Sequence, residues 1–168
     1  MSHEVEIGRG KRGRRAYTLD DIALVPARRT RDPEDVNVGW QIDAYHVDLP
    51  LMAAPMDSVM SPETAIAFGR LGGIGVLDLD GLWTRYEDPE PILDQIAHLG
   101  EEESIVTLQR VYSEPIKPTL ITERLTQLRE AGVVVAGKLS PQRVQQHWRA
   151  VVDAGVDLFI IRGSTVSA

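Results

Sequence analysis

The chain has 168 residues, of which 43% are apolar, and this is enough for one globular domain with a hydrophobic core. Its formal net charge of −7 argues against nucleic-acid binding, and no apolar run is long enough to span a membrane. Cysteine is absent and the four histidines lack metal-ligand spacing, so we expect a cytoplasmic protein without disulfides, thiolate chemistry or a metal site.

The first sixteen residues predict a basic, flexible arm that carries five cations between Arg9 and Arg15. Residues 8–13 match the dinucleotide-binding pattern G-x-G-x-x-G. That motif requires a preceding buried strand and a following helix, and the sequence on either side has neither pattern. We therefore predict an arm over residues 1–16 and one domain over residues 17–168. In the segment YTLDDIALVP, Thr18 is expected to cap a helix or turn that begins at Asp20-Asp21.

Residues 49–79 predict a strand, a helix and a second strand. Residues 49–54 and 74–79 are short apolar runs, as in buried strands. Ser61 is expected to cap the helix with Pro62 in its first turn, and Gly72-Gly73 to end it. A strand, a helix and a strand within about 30 residues form a βαβ unit, so the two strands should be parallel.

The same pattern recurs near the C-terminus, with strands at 133–138 and 157–162 and a helix between them that begins at Ser140-Pro141. Successive strand starts lie 25 residues apart in the first pair (49 and 74) and 23 in the second (133 and 156), which is typical of (β/α) barrel units. Further helices are predicted near residues 89–99 and 120–131. The segment SIVTLQRVYSEPIKPT between them is predicted to be a connector or a short ribbon.

We therefore predict an α/β fold with about four parallel strands and their helices. Because the chain ends where the next helix should begin, the preferred interpretation is the N-terminal half of an eight-stranded TIM (β/α) barrel. A doubly wound open sheet is the alternative, since four or five βα units also form such a fold.

The ends of the predicted strands carry the candidate site residues, because chemistry in barrels takes place at the carboxyl ends of the strands. They are Ala53, Ala54, Met56 and Asp57 after the first strand, Asp78 and Asp80 after the second, Lys138 after the third and Arg162 after the fourth. Small residues let a ligand approach the backbone, and Met56 offers a polarizable surface to a flat ring. The alternative is that the alanines belong to the core and that the charges form a solvated rim of ion pairs.

The segments YTLDDIALVP and LPLMAAPMDSVMSPETAIAFGRLGGIGVL resemble the IMP dehydrogenase/GMP reductase family. The resemblance is closest to the IMP dehydrogenase-related branch that lacks the regulatory CBS-domain pair. The 59 residues between Ile74 and Val133 agree with this, because they are too few to hold a CBS insertion. The resemblance implies a nicotinamide-dependent purine-nucleotide oxidoreductase that converts IMP to XMP or GMP to IMP.

The resemblance also implies roles for individual residues. Met56 would lie under the base of a purine nucleoside 5′-monophosphate, with Ala54 and Asp57 beside it as further substrate-binding residues. The predicted strand ends, and not the resemblance, place Lys138 and Arg162 where a cofactor phosphate could bind, and with Ser164 they are the residues predicted to bind NAD or NADP. A homo-oligomer is expected.

Three departures from the family pattern concern the cofactor, the substrate and the nucleophile. Arg162 stands where IMP dehydrogenases usually have an Asp that meets the nicotinamide ribose, and Ala54 stands where the family often has a substrate-contacting Ser. The family's nucleophilic Cys is absent from these residues, so no catalytic residue is assigned and the chain alone is expected to be inactive. Two rival hypotheses are a catalytically silent nucleotide-binding or regulatory protein that self-associates, and an unrelated flavin- or phosphate-binding barrel.

Overall fold

The computed structural model describes residues 4–6, 9–14, 16–23, 25 and 32–163, and the chain divides into two compact units, Met1–Asn37 and Val38–Ala168. The strands are β1 (Glu4–Glu6), β2 (Arg12–Arg14), β3 (Trp40–Ile42), β4 (Tyr45–Val47), β5 (Met52–Ala53), β6 (Ile74–Asp78), β7 (Ala136–Leu139) and β8 (Leu158–Ile161). The α-helices are α1 (Pro62–Arg70), α2 (Glu90–Ala97), α3 (Glu101–Val111), α4 (Pro118–Glu130) and α5 (Pro141–Asp153). None of the helices in the described part of the chain is long and apolar enough to cross a bilayer.

The first unit contains a short antiparallel hairpin of β1 and β2, where a flexible arm was expected. Glu4 lies opposite Arg14, and an exposed ion pair of 3.6 Å joins Glu4 to Arg12. The last glycine of the pattern, Gly13, therefore lies within a strand, where a dinucleotide-binding motif would have a helix. The domain boundary between residues 16 and 17 stays a prediction.

Thr18 and Asp21 form the turn that the sequence predicted. The amide and the hydroxyl of Thr18 both donate hydrogen bonds to Oδ2 of Asp21, each at 2.9 Å. These bonds begin a single 3₁₀ turn, Leu19–Asp21, and lower the pKa of Asp21. Thr18 is the N-cap residue of this turn, as predicted, and the side chain that accepts the hydrogen bonds is that of Asp21.

The second unit is built on a four-stranded parallel sheet with the order β5-β6-β7-β8. The predicted number and direction of the strands are confirmed. Ser61 caps α1 by accepting a hydrogen bond from the Thr64 amide at 3.1 Å, and Pro62 occupies the first turn, where its missing N–H costs nothing.

The helices cover one face of the sheet, and a hairpin covers part of the other. Apolar residues of α1, α4 and α5 pack against the outer face of the sheet, around Leu77, Leu79 and Leu139. The opposite face carries Ile74 and Val76, which pack against the β3–β4 hairpin. A doubly wound sheet would have helices on both faces, so this arrangement identifies the fold as part of a (β/α) barrel.

The β3–β4 hairpin is joined to the sheet through one carboxylate. The hydroxyl of Tyr45 donates to Oδ1 of Asp157 at 2.5 Å, and the amide of Val135 donates to Oδ2 at 2.8 Å. Asp157 therefore joins the hairpin to the segments that lead into β7 and β8. The hairpin covers an apolar face that parallel sheets normally bury.

The prediction for residues 104–119 was wrong in its first half, because α3 (Glu101–Val111) occupies residues 104–111. Three glutamates fill its first turn, where the helix dipole favours negative charge. Only Val111 of α3 is buried, so the weak apolar periodicity of the segment did not indicate a helix. The helices predicted near residues 89–99 and 120–131 are confirmed as α2 and α4.

We expect Gly75→Ala to lower the free energy of unfolding by about 1–3 kcal/mol, the usual cost of overpacking a core. Gly75 lies on β6 under α1, and a Cβ there would lie 2.5 Å from the Cα of Ala65, a backbone atom that cannot rotate away. Urea unfolding measures the loss. Gly100→Ala is the matched control, since a Cβ at Gly100 meets nothing within 4 Å. Equal stability of the two variants would contradict this packing.

Candidate functional site

The loop after β5 presents Ala54 and Met56 at the carboxyl end of the strand. Pro55 lies between them and has no amide N–H to extend the strand pairing. The carbonyl of Met56 accepts a hydrogen bond from the Met60 amide at 2.8 Å, which closes a tight turn before α1. Ala54 is exposed, and Met56 has half of its surface accessible. The turn therefore leaves a methionine side chain available to a ligand.

Asp57 joins three segments that are distant in sequence. Its Oδ2 accepts hydrogen bonds from the Leu82 amide at 2.7 Å and from the Tyr112 hydroxyl at 2.5 Å. Its Oδ1 is buried and has no hydrogen-bond partner. A Cβ on Gly81 would overlap the carboxylate, so a residue without a side chain is required there. The structure thus shows Asp57 bound to protein groups, and its predicted contact with substrate stays a prediction.

The pKa shifts of Asp57 and Tyr112 agree with this geometry. Burial raises the pKa of Asp57, and the bonds from Tyr112 and Leu82 offset only part of that rise. Partial burial and the hydrogen bond to Asp57 both raise the pKa of Tyr112. The Tyr112 hydroxyl therefore keeps its proton and remains the donor.

Lys138 lies between two carboxylates at the ends of β6 and β7. Its Nζ is 3.0 Å from Asp80 Oδ2 and 3.2 Å from Asp78 Oδ1, and the three side chains are only 15% to 18% exposed. Asp80 also accepts a hydrogen bond from the Ser140 amide at 2.6 Å. These ion pairs favour a structural role for Lys138, and its predicted role in binding a cofactor stays a prediction.

The pKa values of this ion-pair cluster follow from burial and pairing. Burial raises the pKa of Asp78, and Lys138 and the Asp80 amide oppose that rise. Burial lowers the pKa of Lys138, but the hydrogen bond to Asp80 and the charges of both carboxylates raise it by more. Lys138 therefore remains charged, and its charge is offset by its neighbours.

Arg162 differs from Lys138 because its guanidinium has no ion-pair partner among residues 32–163. It follows β8, is exposed, and borders a cavity of about 360 Å³ together with Pro55, Lys138 and Ser140. An unpaired guanidinium beside a cavity suits an anionic group such as a phosphate. Ser164, the third predicted cofactor residue, lies outside the described residues.

A second cavity, of about 450 Å³, lies beside Met56 and Asp57. Its remaining wall includes Leu93 and Ile96 of α2 and Leu108 of α3, together with Pro55, Ser58, Asp78, Leu82 and Tyr112. Sequence reasoning did not find this wall, because α3 was predicted to be a connector. The spacing of Leu108 and Tyr112, four residues apart on one helix face, is the signal that could have indicated it.

Comparison with known proteins identifies the family to which the chain belongs. The family model described as "IMP dehydrogenase / GMP reductase domain" matches residues 16–167. The chain belongs to the IMP dehydrogenase/GMP reductase family. The family that the loop sequence resembles is thereby confirmed.

Relatives in this family support the same assignment. The chain is 43% identical over 169 aligned positions to a Mycolicibacterium smegmatis protein named "uncharacterized oxidoreductase", covering 98% of this chain and 45% of that protein. It is 41% identical over 64 residues to the inosine-5′-monophosphate dehydrogenase of Methanocaldococcus jannaschii, which is 38% of this chain and 13% of that enzyme.

A solved structure shares the fold. The crystal structure of an IMP dehydrogenase/GMP reductase-like protein from Corynebacterium glutamicum matches with a TM-score of 0.81 and 42% identity, over 98% of this chain and 45% of that one. The chain thus spans about half the length of the relatives that it matches along nearly its whole sequence.

We expect Lys138→Met to lower the free energy of unfolding by about 1–3 kcal/mol at neutral pH, because two mostly buried carboxylates lose their cation. The folded-state pKa of Asp78 already lies above its unfolded value, so the charged carboxylate destabilises the fold above that pKa. Removing Lys138 enlarges this penalty. As the pH falls through the raised pKa, Asp78 takes up a proton and the deficit should shrink.

Urea unfolding of both proteins at neutral and at mildly acidic pH measures the deficit. Lys117→Met is the matched control, because Lys117 and Glu114 pair at 3.6 Å with side chains 43% and 39% exposed, where an ion pair contributes little. A deficit that grows on acidification, or one no larger than that of Lys117→Met, would show that the ion-pair cluster does not stabilise the strand ends.

Proposed function

We propose that the whole protein to which this chain belongs is a nicotinamide-dependent purine-nucleotide oxidoreductase, acting between IMP and XMP or between GMP and IMP. The observation that carries the proposal is the Ala54-Pro55-Met56 loop, which leaves Met56 half exposed beside a cavity at the carboxyl end of β5. Family membership supports the same reaction class.

On the substrate side, Met56 would pack against the flat face of the purine, since a thioether is soft and polarizable. Ala54 lets the nucleotide approach the backbone but has no hydroxyl with which to bind it. Asp57 would contribute mainly by holding the loop, because its Oδ2 is already bound by Leu82 and Tyr112. Its Oδ1 is buried against Gly81, which also favours a structural role for the carboxylate.

On the cofactor side, Arg162 fits an anionic group better than Lys138 does. Its guanidinium is unpaired among residues 32–163 and borders a cavity, whereas the charge of Lys138 is offset by Asp78 and Asp80. We therefore assign to Arg162 the contact with a phosphate of NAD or NADP, with Ser164 and Lys138 as further contacts. The nicotinamide group, when bound, supplies the hydride acceptor or donor.

The chain itself supplies binding residues and no nucleophile, since its sequence contains no cysteine. We therefore propose that these 168 residues alone are inactive toward IMP and GMP. An active homo-oligomeric enzyme in the cytoplasm is the form that we propose for the whole protein. A protein that binds nucleotide but shows no turnover at its natural length would instead favour the silent regulatory alternative.

We expect Met56→Ala in the full-length protein to weaken purine-nucleotide binding by about 1–3 kcal/mol, the scale for losing one buried apolar contact. Calorimetric titration with IMP and with GMP measures the affinity. Val59→Ala is the matched control, because Val59 lies in the same turn and is also half exposed but does not border the Met56 cavity. Unchanged affinity for both nucleotides would remove Met56 from the pocket.

We expect Arg162→Asp to raise the KM for NADP by about tenfold or more, and that for NAD by less, because a charge-assisted contact to the additional phosphate is lost. Steady-state kinetics of the full-length protein with both cofactors tests this. The matched control is Arg149→Asp, which makes the same charge change at an exposed residue of α5. Equal losses for NAD and NADP, or no loss with either, would rule out Arg162 as the contact with the additional phosphate of NADP.

A further inference from the structure

The loop that carries Met56 is held locally and from a distance. Locally, Met60 is buried in the core, and the amides of Val59 and Met60 both donate to the Met56 carbonyl. The other side of the loop borders open space: one cavity, of about 450 Å³, lies beside Met56 and Asp57, and another, of about 560 Å³, beside Asp57 and Val59. On that side the loop is anchored to distant segments by the hydrogen bonds to Asp57.

One of those bonds comes from Tyr112, at the C-terminal end of α3, 55 residues away in sequence. We propose that Tyr112 is a positioning residue: by donating to Asp57 it holds the Met56 turn in the conformation that contacts the purine nucleotide. This inference rests on the proposed function for its ligand. The bond between Tyr112 and Asp57 stands independently of that ligand.

Tyr112 can act in this way because its own position is held from two sides. The guanidinium of Arg85 lies 5.6 Å from the centroid of its ring, and Arg85 is itself buried and donates to the carbonyls of Asp80 and Glu114. The hydroxyl of Tyr86 donates to the Val111 carbonyl at 3.1 Å, next to Tyr112 in the chain. The end of α3 is thus anchored to the loop that follows β6.

The rest of α2 and α3 is held less firmly, since α2 has no buried residue and α3 has only Val111. Leu93, Ile96 and Leu108 nevertheless form a wall of the Met56 cavity. The hydrogen bond from Tyr112 to Asp57 therefore links the end of α3 to the loop on which Met56 would contact a ligand. Through Tyr112, α2 and α3 contribute to the binding site as well as connecting two strands.

The test is Tyr112→Phe in the full-length protein, which keeps the ring over Arg85 and removes only the hydroxyl. We expect the KM for the purine nucleotide to rise about 5- to 20-fold while kcat changes by about twofold or less, because binding geometry is lost and not the reacting group. Tyr45→Phe is the matched control, since it also removes a tyrosine hydroxyl that donates to a carboxylate, that of Asp157, but leaves Asp57 bound. Equal effects of the two variants would overturn the inference.

Two further measurements separate this inference from the proposed function. Combining Tyr112→Phe with Asp57→Asn should add little to the effect of Asp57→Asn alone if Tyr112 acts through Asp57, and full additivity would overturn that route. Hydrogen exchange without ligand should be faster at the Leu82 and Met60 amides in Tyr112→Phe and unchanged in Tyr45→Phe.

If the wild-type protein binds neither IMP nor GMP, the proposed function fails, and the exchange rates then decide the inference alone. Faster exchange at both amides supports Tyr112 as the residue that holds the turn. Unchanged exchange overturns it.

Discussion

The structure depends on the parallel pairing of β6 and β7, in which Asp78 lies opposite Lys138. Because side chains alternate along a strand, this register directs Ile74, Val76 and Asp78 to one face. Leu77 on the same strand faces the helices instead. A shift of one residue would carry Lys138 among the leucines of the helix layer, where its charge would have no partner. The site at the strand ends therefore depends on the same register as the core.

Each charged side chain at the strand ends would be too costly to remove from water without a partner. Asp78 and Asp80 are both mostly buried, and the ammonium of Lys138 offsets the cost of removing them from water. Asp57 is held differently, by hydrogen bonds from Leu82 and Tyr112 and without a cation in direct contact. Neither arrangement includes Arg162, whose guanidinium has no ion-pair partner within residues 32–163. This difference from Lys138 is the basis of the proposed cofactor contact.

Sequence reasoning succeeded where local chemistry decides structure. The Ser61 cap, the Thr18 turn and the four parallel strands were all predicted, because capping groups and short apolar runs act over a few residues. Strand bounds were less accurate. The first strand was predicted over 49–54 and is observed as Met52–Ala53, since the amide of Leu49 bonds to the Gly72 carbonyl outside the sheet ladder. The helix α3 was missed because it buries little and so has a weak apolar pattern.

The sequence by itself determined the α/β class, the parallel direction of the strands and the loop that presents Met56, because each follows from contiguous residues. The placement of helices on one face only, which the tertiary structure supplied, decided between a barrel and a doubly wound sheet. Only the tertiary structure decided which partners the strand-end charges take. Lys138 pairs with carboxylates about 60 residues earlier in the chain, and Tyr112 bonds to Asp57 across 55 residues. Such contacts depend on strand register and on the path of α3, and no local propensity encodes either of them.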